Sequence, residues 1–232
     1  MRIACISDIH GNIYALNKVL ESIEENNIDQ IICLGDLTGY GPHPNEVVAL
    51  IIRRKILCLK GNYDASVVEK KFSYIRETDI NSFSLPWTVE ELRASHKFYL
   101  ESLPEKITLT FEDKSILLVH GSPKSINQYL HYESQEAEEI MHNIHEDVLV
   151  CAHTHIPYVK EYGNKLLVND GSVGKPKNGK PHSTYVILNI EKNKDIKVEV
   201  KEVPYDTLKT IKDMEIKNFP SKLIYSIKSG NE

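Results

Sequence analysis

No apolar run in this 232-residue chain approaches the ~20 residues that a membrane-spanning helix needs. The amino terminus also lacks a secretory h-region: Arg2 is followed at once by Ile-Ala-Cys-Ile-Ser, then by Asp8 and His10, which reads as a buried strand ending in polar residues. A basic excess is missing too, with 28 lysines and arginines against 33 acids and a net charge of −5. Stable nucleic-acid binding and membrane attachment are therefore not expected. An acidic chain that handles phosphates must find positive charge locally, and metal ions are one source. Cysteine is sparse. Cys5, Cys33, Cys58 and Cys151 each lie in an apolar run, and no two have zinc-knuckle or redox-pair spacing. They read as small core residues in a reducing compartment, so a cytoplasmic location is the expectation. Internal repeats and low-complexity stretches are absent. The length suits a single domain over 1–232 with at most a small cap.

The order of apolar runs predicts an α/β fold. Residues 2–7, 30–34 and 56–60 read as strands, and 12–25 and 45–54 as amphipathic helices between them, which implies βαβ units and a parallel sheet. Residues 65–104 break this rhythm as a helical cap or insertion, interrupted at Leu85-Pro86-Trp87. Further strands are expected at 106–111, 115–119, 148–152, 157–161, 165–169, 184–190 and 196–203. A helix is expected near 134–145, a hairpin turn at Gly163-Asn164, a helix at 206–217 and then a tail containing Pro220. Two sheets packed face to face, with helices outside, satisfy both halves.

The polar residues concentrate at the carboxyl ends of these strands. Asp8 and His10 follow the first, Asp36 the second and Asn62 the third; His120 follows residues 117–119, and His153 and His155 follow residues 148–152. Ligands of α/β sheets bind beyond the carboxyl ends of strands. Three carboxylates or amides and four imidazoles exceed the needs of one tetrahedral zinc site; they suit two adjacent ions of the Mn, Fe, Co, Ni or Zn kind. Taken singly, Asp8 reads as a helix cap and Asn62 as a turn residue. The recurrence of such residues at five strand ends outweighs that reading.

The series Asp8-Ile9-His10, Gly35-Asp36, Gly61-Asn62, His120-Gly121 and His153-Thr154-His155 resembles the calcineurin-like metallophosphoesterase superfamily. The Gly39-Tyr40-Gly41-Pro42, Gly171-Ser172-Val173-Gly174 and Val203-Pro204-Tyr205-Asp206 segments are similar to its small prokaryotic phosphodiesterase-like branch. The resemblance implies an αββα sandwich of two mixed sheets flanked by helices. It also implies two transition-metal ions, manganese first for activity. Asp8, His10 and His155 would hold one ion; Asn62, His120 and His153 would hold the other; Asp36 would bridge them. A water shared by the ions would attack phosphorus. Asp36, Asn62, His120 and Tyr63 then fall at the catalytic centre, and Tyr40, His43 and Asn62 at the substrate.

Two departures narrow the expectation. Tyr63 stands where many members have a histidine thought to protonate the leaving group, and a phenol is poorly matched to that task. Tyr63 then packs or positions substrate, or water supplies the proton, and good leaving groups are favoured in either case. The arginine that follows the Gly-Asp motif in Ser/Thr protein phosphatases is absent after Asp36. The expected substrate is thus a small phosphodiester or phosphoanhydride of nucleotide type, dinucleoside polyphosphates first. A phosphomonoesterase or phosphoprotein phosphatase, and a non-catalytic protein-binding module, are the alternatives. Oligomerisation stays open. His96, His131, His142 and His145 read as solvated surface, and Trp87, Leu92, Phe98, Tyr99 and Leu100 as cap packing. Lys175, Lys177 and Lys180 read as a solvated loop, with phosphate contact as the second reading.

Overall fold

Strand β1 (Arg2–Ile6) is buried on both faces after its first residue, as an interior strand must be. In the computed structural model, which describes residues 1–111 and 113–231, it is the middle of a five-stranded sheet. Helix α1 (Ile13–Glu25) leads from it to β2 (Gln30–Cys33), and α2 (Pro44–Arg53) leads on to β3 (Leu57–Cys58). β1, β2 and β3 are parallel. On the other side, β9 (His182–Asn189) runs antiparallel to β1, and β10 (Lys197–Pro204) antiparallel to β9.

The second sheet has the order β4-β5-β6-β8-β7. Its members are β4 (Lys106–Phe111), β5 (Lys114–Val119), β6 (Val148–Cys151), β7 (Tyr158–Tyr162) and β8 (Lys165–Asn169), with α6 (Gln135–Asn143) between β5 and β6. β5, β6 and β8 are parallel, and β4 and β7 close the edges antiparallel. The sheets meet through one apolar layer that contains Ile3, Cys5 and Ile32 from the first and Leu118, Val148 and Val150 from the second. This is the expected sandwich of two mixed sheets flanked by helices, and all four cysteines lie buried in it.

The segment expected as a cap folds as α3 (Asn62–Glu69), α4 (Asp79–Glu91) and α5 (Ala94–Ser102). Pro86 sits inside α4 and does not interrupt it. The helix forgoes one backbone bond there while Leu85 and Thr88 on either side of it are buried. His96, expected in solvent, is buried with Nδ1 2.8 Å from Asn45 Oδ1. Phe98, expected in packing, is 73% exposed.

After α7 (Thr207–Ile216), the expected tail is another helix, α8 (Ser221–Ser229), capped by the left-handed Gly230. Leu223 and Ile227, four residues apart, bury its inner face with Met214 and Phe219. Phe219 meets Trp87 at 4.7 Å and Phe83 at 5.2 Å between ring centres, so the end of the chain is packed on α4. Among the described residues, no helix is long and apolar enough to cross a membrane.

Candidate metal centre and substrate cavity

The loops after β1, β2, β3, β5 and β6 converge where the two sheets meet. Asp8 and His10 come from the first sheet and His155 from the second; their ligand atoms cluster within 4.8 Å. A second cluster of the same breadth joins Asp36, from the first sheet, to His120 and His153, from the second. Asp36 Oδ2 faces both, 3.7 Å from His10 Nε2 and 3.4 Å from His120 Nε2. Asn62 joins the second cluster through Oδ1, 2.8 Å from His120 Nε2. All of these side chains are buried.

The surrounding backbone aims them. His10 Nδ1 donates to the carbonyl of Thr38, His120 Nδ1 to that of Leu34 and His155 Nδ1 to that of Lys175. A carbonyl only accepts, so each Nδ1 carries hydrogen and each Nε2 is left to face the centre. Asn62 Nδ2 donates to the carbonyl of Tyr74 at 3.1 Å, which turns Oδ1 inward. Asp36 Oδ1 accepts from the Tyr63 N–H at 2.7 Å, leaving Oδ2 for the clusters. Asp64 cross-links two of the loops, accepting from the N–H groups of Leu37, Thr38 and Gly61. Gly61 is needed at that crossing because a Cβ there would lie 2.0 Å from Asp36 Oδ1.

The backbone is strained where it presents these groups. Asp8, His10, Asp36, His153 and His155 all have φ between 48° and 66°, the left-handed region that costs a non-glycine residue roughly 1–2 kcal/mol. Ladder-like bonds hold them there, among them Asp8 N–H to Gly35 O at 3.0 Å and His10 N–H to Asp36 O at 3.0 Å.

The donor set fits cations. Asp8 Oδ1 and His153 Nε2 are buried with no hydrogen-bond partner, which is costly for groups that a metal would satisfy. His10 Nε2 and His155 Nε2 face each other at 3.3 Å, and both ring protons are already committed at Nδ1. Two lone pairs so close repel unless a cation lies between them. Burial pushes His153 down to about 3 and His155 down to about 4, so both are neutral ligands near pH 7. Burial would lower His120 as well, but the Asp36 carboxylate raises it to about 10. Its second proton then faces Asn62 Oδ1 and Asp36 Oδ2, where a metal would replace it.

A cavity of about 730 Å³ opens beside the clusters and is lined in part by His10, Asp36, Asn62, His153 and His155. Tyr40 and Tyr63 line it too, 4.7 Å apart, with Tyr40 also 4.7 Å from the His10 ring. Burial raises the Tyr63 hydroxyl well above the usual phenol range. His43 is not among the lining residues; it stands at the start of α2 without a side-chain cap bond, its Nε2 2.8 Å from Asp213 Oδ2. Lys175, 5% exposed, lines the cavity with Nζ 5.1 Å from the centre of the Tyr40 ring. Lys177 lines it as well, whereas Lys180 pairs with Glu202 at 3.1 Å. Sequence reasoning missed Tyr129, stacked on His153 at 4.0 Å between ring centres, and Arg76 and Lys222, which lie on the cavity wall. None of the three belongs to a motif, and only the fold brings them near the clusters.

The sequence profile of the calcineurin-like phosphoesterase superfamily domain matches residues 1–193. An uncharacterised protein of Methanocaldococcus jannaschii is 32% identical over 237 aligned positions, which cover 95% of either chain. The phosphodiesterase YfcE of Escherichia coli is 25% identical over 193 positions, 79% of this chain and 85% of its own. The crystal structure of a metallophosphoesterase from Sphaerobacter thermophilus superposes with a TM-score of 0.81 at 29% identity, over 99% of each chain. With two candidate metal clusters at its sheet junction, the chain belongs to the calcineurin-like phosphoesterase superfamily and is a metal-dependent phosphoesterase.

Proposed function

We propose that this chain hydrolyses a phosphodiester or phosphoanhydride bond of a small nucleotide-type substrate, dinucleoside polyphosphates first, at a dinuclear centre. The observation that carries the reading is Asp36 Oδ2, which lies 3.7 Å from His10 Nε2 of one cluster and 3.4 Å from His120 Nε2 of the other. Asp8, His10 and His155 would hold the first ion, Asn62, His120 and His153 the second, and Asp36 would serve both. When bound, such ions neutralise phosphoryl oxygens and acidify water near pH 7; manganese is the first choice for activity.

The protein's own residues do the rest. The Asn62 amide, fixed by Tyr74, keeps its oxygen turned to the site. Lys175 and Tyr40 line the cavity side by side, with Nζ 5.1 Å from the ring centre. Tyr63 packs on Tyr40 with a hydroxyl too weakly acidic to protonate a leaving group near pH 7. A leaving phosphate departs as an anion and needs little help, so anhydrides and activated diesters react, and alkyl monoesters lag. His43, turned to Asp213, takes no part in this scheme.

The test is turnover by purified, manganese-loaded protein. It should cleave bis(p-nitrophenyl) phosphate and diadenosine tetraphosphate, and the aryl diester faster than p-nitrophenyl phosphate. Failure on both the diester and the dinucleotide overturns the reading, and a faster monoester points to a phosphomonoesterase instead.

A further inference from the structure

We propose that Arg76 and Lys222 form a distal anion subsite at the solvent side of the cavity, selecting substrates whose scissile phosphoryl group continues into further phosphates. The inference deepens the function proposed above and rests on it for the position of the scissile group. Both residues line the cavity that His10 and Asp36 line, yet both are exposed while those two are buried. They therefore lie away from the reacting end.

Some surface cations of this acidic chain are neutralised by a neighbouring acid: Lys18 by Glu21 at 2.7 Å, Lys124 by Glu139 at 2.7 Å, Lys180 by Glu202 at 3.1 Å. Among the described residues, neither Arg76 nor Lys222 has an ion pair. Lys175 and Lys177 line the same cavity, and among the described residues Asp36 and Asp79 are its acids. Like charges gathered around a concave surface repel and focus positive potential, and an anionic ligand relieves both. The metal centre accounts for one phosphoryl group. A cavity of about 730 Å³ holds a ligand well beyond that size.

The two residues stand on elements that pack against each other. Arg76 lies in the 70–78 segment that leads into α4, and Lys222 lies in the first turn of α8. Phe219, just before α8, packs on Trp87 and Phe83 of α4. The two cations thus stand on one packed unit. The match to the superfamily profile ends at residue 193, before α8 begins. Arg76 offers a planar fork suited to two phosphate oxygens, and Lys222 offers a point charge.

The experiment compares the metal-loaded full chain with Arg76→Gln and Lys222→Met. Lys228→Ala serves as the control, being an exposed lysine of α8 that does not line the cavity. Calorimetry measures binding of inorganic tripolyphosphate and of orthophosphate. Tripolyphosphate should bind the parent protein more tightly than orthophosphate. Each of the two variants should weaken tripolyphosphate about tenfold, the worth of one charge-assisted hydrogen bond, while orthophosphate shifts far less. The kcat/KM ratio of diadenosine tetraphosphate over bis(p-nitrophenyl) phosphate should fall in step. Equal weakening of the two anions, or no weakening of tripolyphosphate, overturns the subsite. If neither ester is cleaved, the proposed function fails while the binding comparison still decides the subsite.

Discussion

Asp36 divides its carboxylate: Oδ1 takes the Tyr63 N–H and Oδ2 faces both clusters. An amide at this position keeps the size but loses the charge that two ions would share at the proposed centre. Asp36→Asn should therefore lower the metal content relative to the parent protein, read by elemental analysis, and reduce kcat by at least about a hundredfold. Tyr63 poses the opposite case. Its ring packs on Tyr40 while burial makes its hydroxyl a poor acid. Tyr63→Phe should keep kcat for an aryl diester within about threefold, because general acid catalysis contributes roughly a hundredfold or more only where it operates. A hundredfold loss would make the phenol a proton donor after all. The strain at Asp8, His10, Asp36, His153 and His155 could not be read from the sequence, because φ follows from the crossing of distant loops and not from residue type.

At the scale of helices and strands, local patterns and long-range packing part company. Alternating runs of strand and helix were legible through β3, since each apolar face announces its own period. The ligand motifs were legible for a related reason: each sits directly behind a strand. Pro86 and the chain end were not legible. Pro86 reads as a break, but Leu85 and Thr88 are buried on either side of it and the helix continues. Residues 221–229 offer only Leu223 and Ile227 as a buried stripe, too short to outweigh Pro220 before the partner surface on α4 is known. Leu223 is fully buried, so Leu223→Ala should cost about 3 kcal/mol, read as a lower midpoint in urea unfolding. A second element test concerns acid. Asp147, just before β6, accepts from the Ser115 N–H at 2.7 Å and from its hydroxyl at 3.0 Å, which holds its carboxyl below the usual range. A depressed folded value contributes stability above the unfolded pKa of about 3.9, and that contribution fades as pH falls through the folded value. Asp147→Asn should thus lose stability at neutral pH and show a flatter decline below about pH 4 in thermal melts.

For the molecule as a whole, cation binding should stabilise the fold. Asp8 Oδ1 and His153 Nε2 are buried without partners, and the Nε2 atoms of His10 and His155 crowd each other. Chelation should abolish hydrolysis and lower Tm, and readdition of manganese should restore both, with a midpoint that rises with metal concentration. A Tm indifferent to chelator would contradict the coupling. The junction of the sheets carries one more implication. Each cluster takes acid from the leading half of the chain and imidazole from the trailing half. Neither half made alone assembles a complete ligand set, so a nascent polypeptide stays inert until the residues after β6 have left the ribosome and docked. Turnover in this protein then certifies that both halves are present and docked, and partial proteolysis between β3 and β5 would silence it only once the fragments drift apart.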